Sequence, residues 1–178
     1  MLNMKKSLKL LFICIISIAV CLMIMSCDSP VTKDLFSYAN TPFTATVNGT
    51  CNGLAFSAEV FCAKSAMTSN GGIVLCARFT SPNSLSGIVV TLMSTGEVAA
   101  RLANSAIDTE TARGLSELFL PLIPSESYSS VERDGDRTIC HLPHGEGERA
   151  YTFSSDILYP LTISDSKLHL DIIDFKTK

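Results

Sequence analysis

Tryptophan is absent from the 178 residues, and aromatic residues of all kinds make up only 7%. A surface that stacks on sugar rings draws on those side chains, so carbohydrate recognition is disfavoured. Charge is scarce too, at 17% of residues with a net value of −3. Disordered chains and nucleic-acid binders are polar and strongly charged, and with 47% hydrophobic residues this chain is neither. Seven cysteines are too sparse for a disulfide-built miniature fold. No Gly-x-Ser-x-Gly elbow or Gly-rich phosphate loop occurs. Cys140-His141-Leu142-Pro143-His144 is the one His/Cys cluster. On an extended strand Cys140 and His141 face opposite sides, so a metal site is not expected there. Asp134-Gly135-Asp136 lacks the spacing of a calcium loop and reads as a turn. No catalytic residue, cofactor or metal is expected, and the chain is read as a non-enzyme.

What is present begins with an address. Lys5, Lys6 and Lys9 precede an apolar run from Leu10 to Met25, broken only by Ser17. As a helix this run reaches roughly 24 Å. That is short of a stable span, which needs about 20 residues. Such a segment reads as a secretory signal over residues 1–26. Ile24-Met25-Ser26-Cys27 then resembles the cleavage box of bacterial lipoproteins. The resemblance implies that Cys27 becomes an acylated N-terminus, holding the chain on the extracytoplasmic face of a membrane. Each buried methylene contributes about 0.8 kcal/mol, so two or three acyl chains anchor durably. Cleavage removes three bases and no acid, leaving a more acidic chain with no affinity expected for nucleic acid.

Residues 27–41 mix Ser, Pro, Thr, Asp and Asn and read as a tether, with one domain over 42–178. Period-2 alternation dominates from Pro42. Phe43, Ala45 and Val47 share a face; so do Leu54, Phe56, Ala58, Val60 and Cys62. Asn70-Gly71-Gly72 predicts a hairpin turn before Ile73–Phe79. Further strands are expected over 87–92, 98–102, 128–132, 138–142, 149–154, 161–164 and 168–175. In the last, Leu168, Leu170, Ile172 and Asp174 share one parity, and His169 falls on the polar side. Between Thr109 and Pro124 the period changes. Ala112, Leu115, Leu118, Phe119 and Leu122 predict a helix over 109–123, capped by Thr109 and ended near Pro121. The whole reads as mainly β (α+β). A curved antiparallel sheet or incomplete β-barrel is expected, with one inserted helix covering its open side.

Phe79-Thr80-Ser81-Pro82-Asn83-Ser84-Leu85-Ser86-Gly87, following strands with Phe43–Val47 and Phe56–Val60, resembles the LolA/LolB/LppX-like group of envelope proteins. The likeness is to small lipoproteins of Firmicutes. It implies an incomplete barrel whose apolar interior holds acyl chains. On that reading Phe43, Phe56, Val60, Leu75, Phe79, Leu92 and Phe119 line the interior, and helix 109–123 is its lid. A lipid or a lipoprotein is the expected ligand. The alternative is the same fold with a filled core, serving as an envelope or sporulation adaptor for another protein. Cys62 and Cys76 oppose each other if the intervening hairpin centres near Ser69, which predicts a disulfide between them.

Overall fold

A computed structural model describes residues 35–63, 72–124 and 128–178. Among these, eleven strands form one antiparallel sheet. The first wing is β1 (Phe43–Cys51), β2 (Leu54–Cys62), β3 (Ile73–Ser81), β4 (Ile88–Met93), β5 (Val98–Leu102) and β6 (Ser105–Ile107). Helix α1 (Thr109–Glu117) and a 3₁₀ turn at Leu120–Leu122 cross to the second wing. That wing is β7 (Ser130–Asp134), β8 (Arg137–His144), β9 (Gly147–Ser154), β10 (Thr162–Ser164) and β11 (Leu168–Thr177). The order is β6-β5-β4-β3-β2-β1-β11-β10-β9-β8-β7. Each wing is a meander of neighbours in sequence, and the first and last strands join them. This is the open, curved, mainly β architecture that the alternation predicts.

Alternation sets which face is covered. In β1, Phe43, Ala45 and Val47 are buried, while Thr44 and Thr46 are half-buried on the outer face. The same parity buries Phe56, Ala58 and Val60 in β2 and Cys140 and Leu142 in β8. Gly49 is required by space: a Cβ there would lie 2.4 Å from Phe56 Cζ. The Phe79–Gly87 motif proves to be a strand connection. Gly87, at φ +84°, donates its N–H to the Phe79 carbonyl, while Leu85 and Ser86 donate to Pro82.

Several expectations change. The Asn70-Gly71 turn falls outside the described residues. Asp108 caps α1 instead of Thr109, accepting the Thr111 N–H at 2.9 Å. The helix ends at Glu117, and Pro121 sits in the following 3₁₀ turn, where its missing N–H costs no helical bond. Strand β11 contains a bulge. Thr46 pairs with Asp174 and Val47 with Ile172, leaving Ile173 without a partner and exposed. Parity reverses there, so Asp174 faces outward and Phe175 joins the inner face, stacked on Phe43 at 4.8 Å. The expected Cys62–Cys76 disulfide does not form. Register pairs Cys62 with Leu75 and Cys76 with Phe61, so the thiols point to opposite faces and both are free. Burial pushes the Cys62 thiol well above its ordinary value.

Part of the segment expected to be a tether packs against the domain. Leu35, Tyr38 and Ala39 are buried in the core, and a 3₁₀ turn spans Ser37–Asn40. Phe36 meets Tyr151 and Phe153 edge-on, with ring centroids 5.2 and 5.7 Å apart. Aromatic rings among these polar residues bring the segment onto the inner face, where each buried ring removes apolar area from water.

Candidate functional site

The seven residues expected to line an open interior separate into two groups. Phe43, Phe56, Val60, Leu75, Phe79 and Phe119 are buried in the core. Phe56, Phe79 and Phe119 close on one another, with centroids 5.3 to 5.9 Å apart. Leu92 alone of the seven lies in the wall of the cleft described next. The inner face is therefore packed beneath α1, by the Phe119–Ile123 stretch on one side and Leu35–Ala39 on the other.

Space remains where the two wings face each other beside the 3₁₀ turn. A cleft of about 370 Å³ lies between Val74, Leu92 and Met93 of the first wing and Leu142 and Tyr151 of the second. Leu120, Pro121, Ile123 and Pro124 form a third wall. That wall is tied down by Tyr151, whose hydroxyl donates to the Pro121 carbonyl at 3.0 Å. Small-molecule sites occupy about 300–1,000 Å³ and are mostly apolar with a few placed polar groups. This cleft meets both conditions.

The polar groups are His144, Arg149 and Asp165. His144 follows Cys140 and Leu142 at period two, and Arg149 precedes Tyr151 and Phe153 likewise. Both therefore fall on the apolar parity, at the cleft's rim. Asp165, between β10 and β11, accepts from Arg149 Nε at 2.9 Å and Nη2 at 2.7 Å through one oxygen. Its other oxygen accepts the Lys167 and Leu168 N–H groups. Burial alone raises a carboxyl's pKa, but the bonds from Lys167, Arg149 and Leu168 prevail and hold Asp165 below the usual carboxylate range. Arg149 Nη2 also lies 2.8 Å from His144 Nε2. The available signal was a charged residue at the end of an apolar parity in two neighbouring strands.

Other groups stand apart. Cys140 points into the core, and burial lifts its thiol to about 11. His141 points outward, between Glu148 at 3.5 Å and Glu132 at 4.0 Å. Cys140, His141 and His144 are thus on different faces or at different ends. Among the described residues no cluster of three or more His, Cys, Asp or Glu is placed to hold a metal. His169 is exposed beside Asp171. A second depression, of about 820 Å³, lies between Tyr38 and the Asp156–Tyr159 loop. A third, of about 400 Å³, is on the outer face around Thr44, Thr46, Glu59 and Arg78. No helix of the described residues is long and apolar enough to cross a membrane. Cys27 lies outside the described residues.

No family model matches the chain, and neither does any curated protein. Solved structures do resemble it. An uncharacterised conserved protein of Thermus thermophilus aligns with a TM-score of 0.51 and 18% identity, over 82% of this chain and 83% of that one. MucB aligns at 0.49 and 12%, over 84% of this chain and 60% of its own. A LolA-superfamily protein of Nitrosomonas europaea aligns at 0.39 and 9%, over 83% and 93%. The Thermus protein is similar in fold, and the similarity extends no further.

Proposed function

We propose that this chain is an extracytoplasmic lipoprotein, acylated at Cys27, that binds a lipid or other hydrophobic ligand in the cleft between its wings. It is a binder or carrier with no catalytic step. The observation that carries this reading is the cleft itself: three apolar walls meeting at one fixed polar rim. Apolar area buried there contributes about 25 cal/mol per Å², less the entropy lost on association. The basic, apolar, small-then-Cys pattern of residues 1–27 supports the location. Native mass spectrometry of full-length protein from the membrane fraction tests both parts. An acyl adduct at Cys27 and a co-purifying lipid are expected. A free Cys27 thiol in the mature chain overturns the anchor, and a bare mass that no added lipid shifts overturns the ligand.

A second reading has its own support. Leu35, Tyr38, Ala39, Phe119 and Leu122 fill the inner face beneath the helix. A filled shell fits an adaptor that engages another envelope protein and carries nothing. The same spectra separate the two, because the adaptor predicts a protein adduct in place of a lipid.

A further inference from the structure

We propose that the rim of the cleft selects an anionic oxygen head, so that the ligand is a single-chain amphiphile with a carboxylate or phosphate at one end. This rests on the cleft being the binding site and adds which ligands it takes.

The inference follows from counting hydrogen-bond valences at the rim. A guanidinium has five N–H donors and no acceptor. Arg149 uses Nε–H and one Nη2–H on Asp165, and its second Nη2–H points to His144 Nε2. Both Nη1–H donors are left without a hydrogen bond among the described residues. Arg149 can only donate, so in this contact His144 Nε2 is the acceptor. Asp165 has nothing left to offer, since one oxygen takes two Arg149 bonds and the other takes two backbone N–H groups. Every acceptor of the cluster is consumed internally, and the remaining valences are donors. An ammonium head finds no partner there, whereas a carboxylate or phosphate finds several.

Position strengthens the count. The Arg149 and Asp165 side chains are 14% and 7% exposed, so neither is free to swing into solvent. Charge-assisted bonds from a positioned guanidinium are shorter and about twice as strong as neutral ones. Asp165 fixes Arg149 from behind, so a ligand need not order the side chain on arrival. From the rim, the inner-face parity of β8 and β9 leads through Leu142 and Tyr151 along the apolar wall. A head at Arg149 thus places an attached hydrocarbon tail against Leu92, Leu120 and Ile123.

The test titrates full-length protein with four sixteen-carbon probes: palmitate, hexadecyl phosphate, methyl palmitate and hexadecyltrimethylammonium. Palmitate or hexadecyl phosphate is expected to bind at least tenfold more tightly than the ester, and the cation more weakly still. Preference between the two anions identifies the source, a free fatty acid or a phosphate-headed lipid. Arg149→Lys keeps a cation against Asp165 but loses the Nη1 donors. It is expected to narrow the gap between acid and ester, chiefly by weakening the acid. His144→Phe, at a half-exposed position that folding tolerates, gives a smaller loss in the same direction and stands in should Arg149→Lys fail to fold. Equal binding of acid and ester by the unaltered protein, or acid binding that neither substitution weakens, overturns the head selection and leaves the cleft reading standing. Binding of none of the four overturns the cleft reading, and the head selection falls with it.

Discussion

Tyr38 carries its hydroxyl into the core without a hydrogen-bond partner among the described residues. Burial, with Tyr151 and Cys62 nearby, holds its pKa well above the ordinary value, so the group stays neutral. A buried hydroxyl that finds no partner forfeits its hydration, and Tyr38→Phe is expected to raise stability by about 1 kcal/mol in urea unfolding. Asp165 behaves in the opposite sense. Its folded pKa is depressed, so its contribution is complete above the ordinary carboxylate value and is lost as pH falls through the folded one. Asp165→Asn is expected to lower stability at neutral pH and to flatten the decline as pH falls into and below the ordinary carboxylate range, as read from urea midpoints. Part of this cluster was legible in the sequence. Arg149 and His144 interrupt apolar parities that Tyr151, Phe153, Cys140 and Leu142 define. Asp165 was not, because it follows β10, and only the pairing of β10 with β9 brings it beside Arg149.

Among the elements, α1 is short and depends on its ends. Its nine residues bury Ala112 and Ser116, and Asp108 supplies the one side-chain cap. Asp108→Ala is expected to speed amide exchange at Thr111 and through the first turn, with little change at Phe119. Phe119, beyond the helix, bears more weight. It is fully buried against Phe56 and Phe79, and Phe119→Ala is expected to cost about 3–5 kcal/mol by thermal or urea unfolding. Strand alternation predicted ten of the eleven strands, because each has one covered face and the period follows from that. It missed β6, Ser105–Ile107, where a single large apolar side chain stands at the strand's end and no face is buried. Parity failed at Ile173, since a bulge is set by partner-strand spacing that one strand's pattern does not contain. The same limit explains Cys62 and Cys76: a one-residue difference in register moves a side chain to the other face.

For the whole molecule, the packed unit takes in residues 35–40 ahead of Pro42. A polar composition hid this, because two aromatics and a leucine suffice to seat a short segment on an apolar face. A chain starting at Asp34 is expected to exceed one starting at Thr41 by about 3–5 kcal/mol, from the burial of Leu35 and Tyr38. The shorter chain is also expected to bind a dye specific for exposed apolar surface. The topology carries a further consequence. The central seam joins the opening strand of the domain to its closing one. Each half can zip from local hairpins, but contacts of this sequence separation form late and slowly. A nascent chain therefore holds two disconnected half-sheets until the ten residues of β11 emerge. A premature stop before Leu168 yields no smaller version of the shell, only two oily ribbons with raw edges where β11 should have stitched them.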